Sequence, residues 1–137
     1  MLNRKAIPLL LCLLTLAAVA AHAQTPADRS TPGEILRNAR TLTIRPGRAV
    51  DAKYLQYKLL RDRALADWNI SIVEDPRAAD LILAVEQVRL NYIFRITDRR
   101  TSTILVSGKV VAINDPVAAD FLGKGVIKRM REVRGAN

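Results

Sequence analysis

One cysteine and one histidine are all that the 137 residues contain, and aromatic side chains make up only 4% of them. A chain with Cys12 as its sole thiol forms no intrachain disulfide, so an apolar core has to hold the fold. Cys12 and His22 also lie within the first 23 positions, in a segment with the three-part pattern of a secretory signal. Arg4 and Lys5 supply a positive start, Ile7 to Ala21 is an apolar run, and Ala21-His22-Ala23 is a small-x-small cleavage signature. The run falls short of the roughly 20 apolar residues that cross a bilayer, and Pro8 and Thr15 interrupt it. Cleavage between Ala23 and Gln24 is therefore expected, with no transmembrane segment after it. Cys12 follows Leu9, Leu10 and Leu11, where a lipoprotein signal would place small residues, so no lipid anchor is expected.

Loss of the first 23 residues leaves a chain with neither cysteine nor histidine. That excludes thiolate nucleophiles, Ser-His-Asp relays, zinc-finger sites and haem or copper held by imidazole or thiolate. No catalytic residue, metal or cofactor is expected. Carboxylate chemistry stays open in principle, because two carboxyls across a cleft suffice for acid/base work. The candidates are Glu74, Asp75, Asp80, Glu86 and Asp98, and most of them sit where turns and caps call for such residues. Gly123-Lys124-Gly125 lacks the spacing and the Ser/Thr of a phosphate loop.

Positive charge is what the chain has in excess. Its 22 basic residues fall to 20 once Arg4 and Lys5 are removed, against 13 acidic ones, a net charge near +7. The residue pattern predicts a flexible leader over 24–30 and one α/β (α+β) domain over 31–137. Thr31-Pro32-Gly33-Glu34 is a capping box that opens a helix to about Ala39. Arg40 to Arg45 alternates as a strand with Leu42 and Ile44 on one face. Asp51 caps a helix to about Trp68, with Tyr57, Leu60, Ala64 and Trp68 as its buried stripe and Leu83 beside Trp68. Asn69 suits the left-handed position that ends it. Ile70 to Val73 reads as a short, largely buried strand that completes a right-handed βαβ unit.

Asp75-Pro76 starts a single helical turn. Leu81 to Val88 is nearly all apolar and predicts a central strand covered on both faces. Tyr92, Phe94 and Ile96 alternate in the next strand, and Asp98 to Thr101 is a turn. Ser102 to Ile113 forms the last strand, with Ile104, Val106, Val110 and Ala112 on one face. Gly108 within it marks a bulge or a close helix approach. Asn114-Asp115-Pro116 opens the final helix, whose apolar stripe is Leu122, Val126, Met130 and Val133. Gly123 and Gly125 each cost that helix about 1 kcal/mol, which points to a kink or close contact near Lys124. Lys124, Lys128 and Arg131 fall opposite the stripe and are the candidate contacts to an anionic surface. The sum is a mixed sheet of about five strands: a βαβ unit, an antiparallel three-strand meander and a C-terminal helix.

The run Ile70-Ser-Ile-Val-Glu-Asp-Pro-Arg-Ala-Ala-Asp-Leu-Ile-Leu-Ala-Val85, with Phe94-Arg-Ile-Thr-Asp98 and Ile104-Leu-Val-Ser-Gly108, resembles a group of small exported bacterial proteins of unassigned function. More loosely it is similar to the α/β envelope domains of the TolB N-terminal domain, curli-secretion lipoproteins and penicillin-binding-protein activators. That resemblance brings no catalytic residue with it. It implies a non-enzymatic periplasmic or secreted domain that acts through contacts with an envelope protein. Two other classes stay open. One is binding of an anionic lipid or polysaccharide through a basic face, with nucleic acid the weakest ligand because few aromatics interleave with the basic residues. The other is a carboxylate-based hydrolase.

Mass spectrometry of the protein recovered from outside the cytoplasm is expected to find Gln24 as its N-terminus. Recovery with Met1 to Ala23 attached would refute the signal reading.

Overall fold

The computed structural model describes residues 30–45 and 47–136. The expected signal and all of the expected leader except Ser30 lie outside the described residues. The chain order is α1 (Pro32–Asn38), β1 (Thr41–Ile44), α2 (Ala52–Arg61), α3 (Ala64–Asp67), β2 (Ser71–Ile72), a 3-10 turn (Pro76–Ala78), β3 (Leu81–Val88), β4 (Asn91–Asp98), β5 (Ile104–Val111) and α4 (Asp115–Gly135). The five strands form one mixed sheet in the order β2-β1-β3-β4-β5. β1 pairs in parallel with β2 and β3, whereas β3, β4 and β5 form the antiparallel meander. The expected fold class is the one observed.

The caps act as their residue types dictate. Thr31 Oγ1 accepts from the Glu34 N–H while a Glu34 carboxyl oxygen accepts from the Thr31 N–H at 2.7 Å, a complete capping box. Asp51, Asp75 and Asn114 cap α2, the 3-10 turn and α4 more simply, each side-chain oxygen accepting from one backbone N–H. Asn69 takes φ 54, the left-handed conformation its side chain tolerates.

The helix after Asp51 differs from the expected one. Asp62 adopts an extended conformation and its Oδ1 accepts from the Ala64 N–H at 2.9 Å, which stops α2 and restarts the chain as α3. The break resets the helical phase. α2 therefore buries Leu55 and Leu59, while Tyr57 and Leu60 are 57% and 55% exposed. Trp68 is half-buried against the core rather than packed with Leu60, and the Arg134 guanidinium lies 4.9 Å from its ring centroid.

The helices share one layer: α1 and α2 both pack against α4, and α4 lies on β4 and β5. Strand register puts Leu42, Leu83, Ile96 and Val106 on the covered face, all buried. β3 is central, but it is covered on one face only: Ile82 and Ala84, on its second face, are half-buried, and Glu86 and Val88 are exposed. β2 is likewise an edge strand of two residues with Ser71 exposed, not the buried strand expected. In β5 the pairing shifts between Ile96↔Val106 and Thr97↔Ile104, so an extra residue at Leu105 turns Ile104 to the second face, where it is 54% exposed.

α4 runs unbroken through Gly123 and Gly125, so the expected irregularity is a close contact. A Cβ at Gly108 would lie 2.4 Å from Phe94 Cζ, and one at Gly125 would lie 3.5 Å from Phe94 Cε1. The ring thus fills the space that a side chain at Gly108 would need, while Gly123 faces α2 closely, a Cβ there lying 3.2 Å from Lys58 Cβ. The stripe Leu122, Val126 and Met130 is buried, with Val133 half-buried at its end.

Truncation separates the two possible faces of α2. Leu59→Ala is expected to cost about 2–5 kcal/mol, and Leu60→Ala about 0.5 kcal/mol or less. Urea midpoints that rank the two variants in the opposite order would overturn the observed helix face.

Candidate interaction surface

Lys124, Lys128 and Arg131 are all exposed on the outer side of α4, opposite its buried stripe. They are not equivalent. Lys124 Nζ lies 2.9 Å from Asp120 Oδ2, and Lys58 Nζ lies 3.1 Å from Asp120 Oδ1. Hydrogen bonds from Lys124 and then Lys58 hold the Asp120 carboxyl below the ordinary aspartate range, and Asp120 in turn raises Lys58. Arg129 is paired with Glu132 at 2.9 Å. Among the described residues Lys128 and Arg131 make no ion pair, so these two carry the unneutralised charge of the ridge.

The carboxylate candidates have structural occupations. Asp75 caps the 3-10 turn, and Glu86 meets Arg95 across β3 and β4 at 3.3 Å. Glu74 is exposed. Asp80 and Asp98 line one depression, beside Arg100 and Asn38, because β3 begins where β4 ends. Asp80 Oδ2 accepts from the backbone N–H of Arg40 at 2.8 Å and of Thr41 at 3.0 Å, fastening the start of β1 to the start of β3. Asp98 is buried, and its Oδ2 accepts from the Thr101 N–H and Oγ1 within the β4–β5 turn. Among the described residues no group of three His, Cys, Asp or Glu side chains could hold a metal ion, and no helix is long and apolar enough to cross a membrane.

A cluster of three arginines closes the opposite end of α4. Arg37 Nη1 donates to the Arg134 carbonyl at 2.7 Å, Arg134 Nη1 donates to the Leu36 carbonyl, and Arg40 Nη1 donates to the Arg37 and Ala39 carbonyls. Burial lowers the Arg134 pKa, and the charges of Arg37 and Arg40 lower it further. The cations sit against carbonyls at two converging helix C-termini, where the dipoles favour positive charge.

Sequence reasoning missed the residues that leave part of the sheet unpartnered. The Ala112 N–H donates to the Leu90 carbonyl at 3.1 Å, which fixes the hydrogen-bonded pairs between β4 and β5. Antiparallel alternation then directs the N–H and C=O of Val110, Gly108 and Val106 toward β4. Those of Ser107, Lys109 and Val111 point outward, and among the described residues no strand pairs with that side of β5. Val111 and Ile113, at the end of this edge, are 60% and 80% exposed. Along its helical side runs a groove lined by Phe94, Gly108 and Gly125 and by three cations, Lys109, Lys128 and Arg129, against one carboxylate, Glu132.

The Asp80 contacts generate a pH prediction. Burial pushes its carboxyl up, but the N–H of Arg40, the hydroxyl and N–H of Thr41 and the charge of Arg99 outweigh that and hold it below 3.8. Its folded value lies under its unfolded value, so its contribution is complete above the unfolded value and lost as pH falls through the depressed one. Asp80→Ala is expected to cost about 1–3 kcal/mol at neutral pH, because two N–H groups lose their acceptor. The difference in urea midpoint from the parent should shrink in acid below the ordinary aspartate range; a difference constant with pH would contradict the assignment. Comparison with protein-family models, with curated proteins and with solved structures finds no match for this chain.

Proposed function

We propose that this protein is an exported, non-enzymatic domain of the cell envelope that works by binding another protein along the β5 edge. The observation that carries the reading is the outward row of backbone groups at Ser107, Lys109 and Val111, next to the exposed side chains of Val111 and Ile113. An edge strand of this length is a template for a further strand unless it is covered. Export rests on the N-terminal pattern of Arg4, Lys5, the apolar run and Ala21-His22-Ala23. The paired hydrogen bonds that Asp80 Oδ2 and Asp98 Oδ2 each accept from neighbouring backbone and hydroxyl groups support a structural rather than a catalytic use of the carboxylates.

A second reading, attachment to an anionic lipid or polysaccharide, is favoured by Lys128 and Arg131, exposed and without an acidic partner. Two or three such charges near an anionic membrane contribute about 1 kcal/mol each at low salt.

A photo-crosslinking residue at Ser107 in living cells is expected to trap one envelope protein, and the same residue at Lys53 on α2 to trap none. Equal crosslinking from both positions, or none from either, would count against the edge. Sedimentation with anionic phospholipid vesicles, abolished by Lys128→Glu with Arg131→Glu, would favour the second reading instead.

A further inference from the structure

We infer that the β5 edge takes an extended acidic segment of its partner as a sixth, antiparallel strand of the sheet. This rests on the reading of β5 as the binding edge and adds the chemistry and conformation of what binds there. Backbone geometry supplies the conformation. The groups of Ser107, Lys109 and Val111 face outward at every second residue, the spacing with which an antiparallel strand presents its own N–H and C=O.

Charge supplies the chemistry. Beyond the bulge, the side chains of Ser107, Lys109 and Val111 lie on the open face of the sheet, so Lys109 stands on that side of an added strand. Lys128 and Arg129 stand on the other side, on the flank of α4 that lines the groove with Gly108. Glu132 lines the same groove and pairs with Arg129 at 2.9 Å, so among the described residues Lys109 and Lys128 carry no ion pair and the groove keeps a positive excess. Successive side chains of a docked strand point alternately to the two sides. Acidic residues in either register therefore meet a cation. The Phe94 ring occupies the space beside Gly108 and lines the groove with Gly108 and Gly125, an apolar contact for a side chain of the docked strand on the helical side.

The same charge argues against a second copy as the occupant. Antiparallel pairing of β5 with itself would bring two copies of Lys109 opposite or diagonal to one another, with Lys128 of each copy close by. Like charges facing across a strand pair destabilise it. The lysine that discourages self-pairing is thus the one that selects an acidic partner.

The probe is an acetylated, amidated octapeptide of alternating glutamate and valine, titrated into the full protein at low salt and followed by anisotropy and amide hydrogen exchange. Binding is expected, with new protection of the Ser107, Lys109 and Val111 amides. A peptide with lysine in place of glutamate, and one of alternating glutamate and proline, should each bind about tenfold more weakly or worse. The proline peptide keeps the charge but lacks the donors of a strand. Lys109→Glu with Lys128→Glu should abolish binding, and Ser107→Pro, which removes one outward N–H while sparing the β4 ladder, should weaken it. Lys53→Glu with Arg61→Glu, on α2, should leave it unchanged.

Equal binding of the proline peptide, or an equal loss from the α2 charge reversal, would overturn the inference in favour of unspecific electrostatics. A dimer in sedimentation whose β5 amides are protected without peptide would overturn it in favour of a second copy. Failure of the acidic peptide while the Ser107 crosslink persists would overturn the acidic strand and leave the protein-binding reading standing.

Discussion

Phe94 lies between β5 and α4, and its ring takes the volume that a side chain at Gly108 would fill and packs beside Gly125. Any Cβ at position 108 would meet that ring at 2.4 Å, so a larger residue there displaces the ring or the strand. With both glycines in place, α4 settles close to the meander and buries Leu122, Val126 and Met130 completely. α1 and α2 then pack against α4, so the helical layer depends on how near α4 sits to the sheet. The gain is apolar burial, roughly 25 cal/mol per Å² removed from water. It offsets the unfavourable helical positions of Gly123 and Gly125, at about 1 kcal/mol each.

That packing also decides where the molecule is unfinished. A helical layer gathered around α4 covers one face of the sheet and leaves β3 and β4 half-buried on the other. It ends at β5 without closing over the edge. Protein contacts through that edge, and an acidic partner strand in particular, are readings supported by the geometry of Ser107, Lys109 and Val111 and by the two cations flanking them.

Elements marked by a local chemical device were legible residue by residue. Thr31 with Glu34, Asp51, Asp75 and Asn114 each bring a short-range oxygen to an orphan N–H, and each cap forms as the sequence indicates. The alternation of Tyr92, Phe94 and Ile96 and the stripe on α4 were legible for a similar reason: regular periodicity reports one buried face. Faces set by an interruption were not. Asp62 breaks the helix and moves burial from Leu60 to Leu59, and the extra residue near Leu105 moves Ile104 out of the core. Neither a break nor a bulge leaves a periodic trace, because each acts by shifting phase. The exposure of Lys124, Lys128 and Arg131 on one side of α4 was legible from helical spacing. The ion pair of Lys124 with Asp120 and the outward row on β5 required partners and register to be seen.

The sequence by itself determined the element order, the capped helix starts, the mixed sheet with its meander, and the exclusion of disulfide, thiol and imidazole chemistry from residues 24–137. These follow from residue identity and from interactions spanning a few positions. Tertiary structure alone decided that every helix lies in one layer, that β3 is covered on one face, and that Ser107, Lys109 and Val111 point away from the sheet. Strand order and layer assignment are long-range choices: an apolar strand reads the same whether one face or both are covered. Only its neighbours determine which backbone groups remain free.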